Sequence, residues 1–282
     1  MTSPTLSVAP LTATVGAEVL DADANRLAGD AAFVGAVVDA LGRYGVLVFR
    51  GLHLEPEAQV AFCGRLGEVD CSAADDPIRG VTRVTLDRSK NASAPYLRGT
   101  FFWHIDGCTP AGDECPQMAT VLSAKAVAES GGETEFVSTY AAYDDLGDDE
   151  KERYGALRVV HSLEASQRLA FPEPSEKLVA GWRTRKTSEH PLVWTHRDGR
   201  RSLVLGASTD HVVGMDLDEG RALLAELLDR STAPERVYRH EWTVGDTVMW
   251  DNRGVLHRAA AYATDSPREM FRTTVFGDEP IE

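Results

Sequence analysis

The tripeptide His104-Ile105-Asp106 and the distant residue His257 constrain the fold of this chain more than any other feature. Two imidazoles and one carboxylate are the ligands that hold one face of a non-haem ferrous ion and leave the other face open for reactants. Residues i and i+2 of an extended segment project to the same side, so His104 and Asp106 can bind one ion without backbone distortion. The fold must then bring His257 beside them.

A His-x-Asp sequence alone is a weak signal. The chain has eight histidines, such a tripeptide arises by chance in many proteins, and an isolated histidine is more often a surface residue or a hydrogen-bonded core residue. Two features of the surrounding sequence strengthen the interpretation. Apolar residues 101–103 precede His104 and would keep a reactive ion dry, and residues 250–259 form an aromatic and polar run around His257.

Length and charge restrict the class of protein. A chain of 282 residues is long enough to bury a large core, and we expect a single domain over residues 1–282. The net charge of -15 argues against a nucleic-acid partner, which requires an excess of lysine and arginine. We find neither a secretory signal nor an apolar stretch that would span a membrane. The four cysteines match no metal or redox spacing, so we expect a reduced, cytoplasmic setting.

Hydrophobic periodicity predicts helices over residues 30–44, 55–66 and 216–230, whereas residues 70–94 are expected to be rich in loops. The dipeptide Asp198-Gly199 predicts a hairpin between the runs that flank it. Short β-like runs fill much of the rest of the chain: 46–49, 118–127, 133–137, 158–161, 192–195, 202–205, 236–242, 247–250 and 270–276.

This pattern of many short strands with interspersed helices predicts a mixed α/β chain with a mainly β core. A double-stranded β-helix, or jelly roll, with flanking helices is the architecture we expect. The candidate metal ligands would come from two strands that are distant in sequence, and such strands can lie side by side in a jelly roll.

Three motifs give the chain a specific family resemblance. They are WHxD at residues 103–106, GGET at residues 131–134 and WDNRGVLHRA at residues 250–259, and Arg268 and Arg272 follow His257 by eleven and fifteen residues. Together they are similar, over the whole chain, to the taurine dioxygenase (TauD/TfdA) family of Fe(II)/2-oxoglutarate-dependent oxygenases.

The resemblance implies that His104, Asp106 and His257 ligate Fe(II). Without it, these histidines would more often be surface residues or hydrogen-bonded core residues than metal ligands. Because a metal-bound histidine usually donates its second N–H to an acceptor, we expect Asp251 or Asn252 to support the ligands. A plain role in turning the chain is the alternative for these two residues.

The resemblance also implies a site for 2-oxoglutarate. Thr134 and Arg268 would bind its distal carboxylate, in agreement with the two parallel donors that a guanidinium presents to a carboxylate. Arg272 would lie on the same strand face as Arg268 and contact either 2-oxoglutarate or the substrate. Without the resemblance, Thr134 would be an ordinary strand residue and both arginines would be solvated charges.

The implied reaction consumes O2 and converts 2-oxoglutarate to succinate and CO2 while an unactivated C–H bond of a second, small-molecule substrate is oxidised. The carboxylate Asp106 favours hydroxylation, or a related desaturation or cleavage, because halogenases of this kind lack the carboxylate and bind a halide in its place.

Taurine itself is not the substrate that the sequence favours. The taurine enzyme has a substrate-binding histidine in the loop after its second helix, whereas residues 67–76 here contain no histidine and are acidic. Residues 96–102 are aromatic, particularly Phe101 and Phe102. We therefore expect a larger and more apolar substrate, such as a secondary metabolite or an aryl or alkyl acid. The family resemblance also leads us to expect a homo-oligomer, a dimer or tetramer.

Two other functions use the same residues. A zinc-dependent hydrolase also binds its metal through nitrogen and oxygen ligands and keeps one position open, although Thr134 and Arg268 would then have no purpose. A non-catalytic jelly-roll protein that binds 2-oxoglutarate is the second alternative, since a fold alone never proves activity.

Overall fold

The computed structural model describes residues 6–72, 78–109 and 115–282. Most of its regular structure is β. The strands in these ranges are β1 (Val8–Pro10), β2 (Ala17–Val19), β3 (Val46–Phe49), β4 (Thr82–Val84), β5 (Gln117–Ala126), β6 (Thr134–Ser138), β7 (Arg158–His161), β8 (Ser188–Pro191), β9 (Val193–Thr195), β10 (Arg201–Leu203), β11 (Thr209–Val212), β12 (Tyr238–His240), β13 (Thr247–Asp251), β14 (Val255–Ala259) and β15 (Glu269–Phe276).

The helices lie mainly outside the sheets. The α-helices of the described ranges are α1 (Ala24–Gly29), α2 (Ala31–Tyr44), α3 (Pro56–Cys63), α4 (Thr139–Asp144), α5 (Asp148–Gly155), α6 (Leu163–Ala170), α7 (Glu176–Trp182) and α8 (Leu217–Ser231). Two 3-10 helices span Ala94–Phe101 and Pro234–Arg236. None of these helices combines the length and the apolar character needed to cross a membrane.

The larger sheet has the strand order β1-β2-β3-β13-β5-β15-β4. Its strands pair antiparallel, except for β2 and β3. Strand β3 is buried on both faces, which explains its uninterrupted apolar sequence. Alternation along the strand sends Val46 and Val48 into one apolar cluster and Leu47 and Phe49 into another.

A smaller sheet, β12-β6-β14, packs against one face of the larger one. The apolar cluster between them contains Val46, Val248 and Trp250 from the larger sheet and Phe136 and Val255 from the smaller one. Because the two sheets share this core, residues of β14 line one cavity with residues of β5, β13 and β15.

The helices α1 to α3 cover the other face of the larger sheet. Phe33, Val37 and Leu41 of α2 share an apolar cluster with Phe62 of α3 and Met249 of β13. A third cluster lies beside the smaller sheet, where α4 and α8 pack on β7, β10 and β11. The mainly β core is thus enclosed by helices on two sides.

The predicted helix over residues 30–44 is confirmed and begins at Ala31. The side chain of Asp30 accepts hydrogen bonds from the first helical N–H groups, and Gly45 ends the helix with a positive φ of 71°. The predicted hairpin is also confirmed, with Arg201 of β10 opposite Thr195 of β9.

Residues 70–94 contain more order than the sequence indicates. The strand β4 lies at the edge of the larger sheet and pairs with β15. Its three residues are too few to show the alternation by which a strand is read from sequence. Residues 73–77, which include part of the acidic loop used in the substrate prediction, lie outside the described residues.

A buried carboxylate, Asp246, holds the turn between β12 and β13. It is 1% exposed and accepts hydrogen bonds from the backbone N–H groups of Gly51 and Thr243 and from Nη1 of Arg50. Burial by itself raises the pKa of Asp246, but the contact with His240 and these hydrogen bonds outweigh it and hold the pKa well below its ordinary value.

We expect Asp246→Asn to lower the free energy of unfolding by about 1–3 kcal/mol at pH 7, because the amide cannot accept the same set of hydrogen bonds. Ionised Asp246 stabilises the fold fully above the unfolded pKa of about 3.9, and this contribution is lost as the pH falls toward the lower folded pKa. The difference between wild type and variant in urea denaturation should therefore be constant from about pH 7 to about pH 5 and shrink as the pH falls below about 4. Asp229→Asn, at an exposed position of α8, is the control, and an equal effect of both variants would contradict the assignment.

Candidate active site

His257 is the central residue of β14, an edge strand of the smaller sheet. Its register partner on β6 is Phe136, and the ring of Trp250 packs on the imidazole with 4.7 Å between ring centroids. His257 is 6% exposed. Strand β14 is thus a rigid support, and the aromatic neighbours exclude water from the imidazole.

His104 is held by backbone hydrogen bonds to His257 itself. The N–H of each residue donates to the carbonyl of the other at 3.0 Å, and this single bridge is not extended into a ladder between the His104 segment and β14. The prediction that both ligand segments are strands is therefore right for His257 and wrong for His104. The chain turns at Asp106 and Gly107, so the extended conformation around His104 is too short to form a ladder.

The three side chains converge on one point. Nε2 of His104 lies 3.9 Å from Oδ1 of Asp106, and Nε2 of His257 lies 3.7 Å from Oδ2. These distances are too long for hydrogen bonds. They fit ligands of a common ion, because two donors each about 2.1 Å from a metal are separated by at most about 4.2 Å. Among the histidine, cysteine and carboxylate side chains of the described residues, the group that could hold a metal ion consists of His104, Asp106 and His257.

The protonation states suit a cation. Burial, with a contribution from His104, lowers the pKa of His257 to about 3, so this imidazole is neutral at pH 7. Burial raises the pKa of Asp106, but His257, Arg272 and His104 and a hydrogen bond from Thr120 outweigh it, and the pKa lies below its ordinary value. A neutral imidazole and an ionised carboxylate are the forms that metal binding requires.

Hydrogen bonds orient two of the three candidate ligands. Nδ1 of His104 lies 2.9 Å from the carbonyl of Phe102, which leaves Nε2 for the site. Thr120 of β5 donates to Oδ2 of Asp106 at 3.3 Å and accepts a hydrogen bond from Nδ2 of Asn252 at 2.9 Å. Asn252 therefore supports the carboxylate rather than a histidine.

Two neighbouring residues have other partners. Asp251 forms an ion pair with Arg253 at 2.8 Å and so stabilises the turn after β13. The guanidinium of Arg258 lies over the ring of Trp103, 4.6 Å from its centroid, as expected for a packing residue.

Thr120 carries no sequence signal of its role, because it is one of several polar residues on β5 and acts through contacts distant in sequence.

Gly206 allows the segment of His104 to approach β14 closely. Its φ is +120°, and a Cβ atom there would lie 2.8 Å from the carbonyl oxygen of Trp103 and 3.0 Å from Cα of His104. The N–H of Ala207 donates to the same Trp103 carbonyl at 2.7 Å. Glycine is therefore required beside the candidate metal ligand.

The remaining predicted site residues line one cavity with the three candidate ligands. Thr134, Arg268 and Arg272 are all part of its wall. Arg268 is 3% exposed, lies over the ring of Tyr262 and forms no ion pair with any described residue. Burial lowers the pKa of Arg268 from its ordinary value, but a guanidinium stays charged at neutral pH. A buried cation that forms no ion pair with a described residue is suited to bind an anion.

The paired glycines of the GGET sequence make room for Arg268. A Cβ atom on Gly132, whose φ is +76°, would lie 2.9 Å from Cδ of Arg268, and one on Gly131 would lie 2.1 Å from the carbonyl oxygen of Ala261. Nε of Arg268 donates to the carbonyl of Gly132 at 3.2 Å. The turn thus forms a cradle for the guanidinium.

The sequence and the site agree with a known family. The model of the family described as "Taurine catabolism dioxygenase TauD, TfdA family" matches residues 7–274. The chain belongs to the TauD/TfdA dioxygenase family. Membership confirms the predicted resemblance and the predicted class of enzyme, a 2-oxoglutarate-dependent dioxygenase, and it implies Fe(II), 2-oxoglutarate and O2.

Relatives in this family act on small molecules. The chain is similar to an α-ketoglutarate-dependent 2,4-dichlorophenoxyacetate dioxygenase of Burkholderia sp. (strain RASC), with 36% identity over 268 residues that cover 86% of this chain and 84% of the relative. It is 33% identical over 288 residues to an (S)-phenoxypropionate/α-ketoglutarate dioxygenase of Sphingobium herbicidovorans, which covers 99% of this chain and 98% of the relative.

The fold is similar to that of a crystal structure of AAD-2 in complex with Mn(II) and N-oxalylglycine. The TM-score is 0.83 at 32% identity, over 99% of this chain and 100% of that chain. The predicted mixed α/β architecture with a mainly β core is confirmed.

A second cavity of this dioxygenase meets the first at the candidate ligands. The two cavities share Thr100, His104 and Asp106, but the second is otherwise lined by different residues, among them Gln167 and Ser208. Thr134, Arg268 and Arg272 do not line it. Two cavities with different linings therefore adjoin at His104 and Asp106.

We expect Gly206→Ala to weaken Mn(II) binding by about tenfold or more, because displacement of a ligand by a fraction of an ångström has effects of this size. Titration calorimetry of the metal-free protein with Mn(II) gives the affinity. Gly199→Ala is the matched control, since Gly199 has a φ of +85° but no atom within 4 Å of an added Cβ. Equal affinities in the two variants would show that the contact at Gly206 is unimportant for the ligands.

Proposed function

We propose that the protein is an Fe(II)- and 2-oxoglutarate-dependent dioxygenase that oxidises an unactivated C–H bond of a small organic substrate, with release of succinate and CO2. One observation carries the proposal: a cluster of two imidazoles and a carboxylate shares a cavity with a buried arginine that has no ion pair among the described residues. A zinc hydrolase would need the first feature but not the second.

In this proposal, His104, Asp106 and His257 hold Fe(II). The chemistry of the donor set fits this ion, since two neutral imidazoles and an ionised carboxylate occupy one face and leave other positions free. Asp106, fixed by Thr120, contributes the negative charge. Because a carboxylate occupies this position, we propose hydroxylation or a related oxidation rather than halogenation.

The buried Arg268 binds the distal carboxylate of 2-oxoglutarate in this proposal, together with the hydroxyl of Thr134. A guanidinium presents two parallel donors to a carboxylate, and the cavity is screened from water, which strengthens both hydrogen bonds. Nε of Arg272 is buried without a partner in the described structure. Arg272 completes the anion site beside the metal, toward either 2-oxoglutarate or an anionic group of the substrate.

The iron and 2-oxoglutarate, when bound with O2, supply the oxidising chemistry, and the protein orients the reactants and excludes water from the site. Trp250 and Phe136 pack on His257 and keep water from the inner side of the site. Asn252 and Thr120 fix the orientation of the carboxylate.

The second cavity is the proposed site of the primary substrate, since it reaches His104 and Asp106 without the arginines. Phe101 and Phe102, on which the expectation of an apolar substrate depends, do not line either cavity. Aryloxy acids, such as those named for the relatives, are the class we propose to test first. A substrate other than taurine stays a prediction.

We further propose that residues 1–282 form one domain with a double-stranded β-helix core. The packing of the smaller sheet on the larger one supports this architecture, as does the match of the family over residues 7–274. A homo-oligomeric state stays a prediction.

We expect His104→Ala and Asp106→Ala each to abolish substrate-dependent formation of succinate, because either change removes one of three metal ligands. The assay contains Fe(II), ascorbate, 2-oxoglutarate and a panel of phenoxyacetates and phenoxypropionates. His211→Ala, at a histidine outside the two cavities, is the control. Retained activity in both ligand variants would overturn the metal assignment.

Measurements on the same preparation distinguish the dioxygenase from a zinc hydrolase and from a non-catalytic protein that binds 2-oxoglutarate. Bound zinc after anaerobic purification and ester hydrolysis without O2 uptake would favour the hydrolase. Binding of 2-oxoglutarate without any O2 uptake, across the panel, would favour the non-catalytic protein.

We expect Arg268→Met to raise the KM for 2-oxoglutarate by about a hundredfold, since it removes two charge-assisted hydrogen bonds. The melting temperature of the ligand-free protein should not fall, because the variant also removes a buried charge that forms no ion pair with a described residue. Arg221→Met, in an exposed ion pair with Asp210, is the control. An unchanged KM would place the co-substrate elsewhere.

A further inference from the structure

Trp242 contacts one residue of the proposed co-substrate site and lies outside its cavity. Its indole Nε1–H donates a hydrogen bond to Oγ1 of Thr134 at 3.0 Å. Thr134 is 4% exposed and faces the cavity that also contains Arg268. Trp242 itself lines an outer cavity on the other side of Arg268, together with the paired glycines.

This contact determines what the hydroxyl of Thr134 can do. An indole N–H is only a donor, so Oγ1 of Thr134 must act as the acceptor in this pair. The hydroxyl proton then has to be donated elsewhere. No described residue accepts a hydrogen bond from Thr134, and the cavity is the space that this side chain faces.

The indole of Trp242 is fixed by packing. It stands edge-on to the imidazole of His240, with 4.4 Å between centroids and an interplanar angle of 84°. His240 is fully buried, with Nδ1 3.0 Å from the hydroxyl of Tyr238 and Nε2 3.4 Å from Oδ2 of Asp246. The same buried carboxylate that holds the turn after β12 therefore limits the movement of Trp242.

We infer that Trp242 is a positioning residue for 2-oxoglutarate, which acts by turning the hydroxyl of Thr134 into a dedicated donor to the distal carboxylate. A hydroxyl that already accepts one hydrogen bond is also a stronger donor in a second. Beside Arg268, such a donor binds a carboxylate and discriminates against a neutral end group. This inference rests on the proposed function, because it concerns the same co-substrate site.

The test measures binding rather than turnover. Titration calorimetry of Mn(II)-loaded protein with N-oxalylglycine gives the affinity of wild type, Trp242→Phe, Thr134→Val and the double variant. We expect Trp242→Phe to weaken binding by about fivefold to tenfold, the loss that corresponds to one hydrogen bond. In the Thr134→Val background the same change should have less than about a twofold effect, because the hydroxyl through which Trp242 acts is already absent.

A purely structural role would give a different result. If Trp242 only supports packing, its replacement lowers the affinity by the same factor in both backgrounds, and the inference is overturned. Unchanged affinity in Trp242→Phe overturns it as well. Trp182→Phe, which removes a buried indole from α7, is the control and should bind like wild type. If the Phe variant does not fold, Trp242→Tyr repeats the measurement without an indole N–H.

The wild-type titration separates this inference from the proposed function. If the wild-type protein does not bind N-oxalylglycine, the co-substrate site itself is wrong. If the wild type binds and Thr134→Val is weakened but Trp242→Phe is not, the site stands and the role of Trp242 alone is wrong.

Discussion

The site depends on two backbone hydrogen bonds that join His104 and His257. They connect segments that are far apart in sequence, and they place two imidazoles with their ring centroids 4.1 Å apart. Two other features of the cluster depend on this bridge. Gly206 must be a glycine because the bridged segment passes so close to it, and Asp106 reaches the histidines because the chain turns directly after the bridge.

The bridge is stable because one of its sides belongs to a packed sheet. Strand β14 pairs with β6 over five residues and is buried against Trp250 and Phe136. The other side, around His104, has no ladder of its own. The packed core of the smaller sheet thus fixes the position of His257. Through the bridge it also fixes the position of His104, whose own segment has little regular structure.

Residues in continuous motifs could be predicted from the sequence, and residues that act across the fold could not. His104, Asp106, Thr134 and Arg268 lie in or near recognisable patterns, and the structure brings them to one cavity. Thr120, Gly206 and Trp242 act through contacts with residues that are distant in sequence, so no local pattern reveals them. The bounds of β14 are absent from the predicted strand runs, although a strand is expected at His257, because Val255–Ala259 is interrupted by polar residues whose burial depends on tertiary packing.

The division into two cavities has a consequence for how such an enzyme changes over time. Only Thr100, His104 and Asp106 belong to both linings, whereas Gln167 and Ser208 border the second cavity alone. If the second cavity receives the primary substrate, mutations there alter the accepted molecule without disturbing the anion site at Arg268. Enzymes with this arrangement can therefore change their substrate through single substitutions in the second cavity while the oxidising chemistry stays the same.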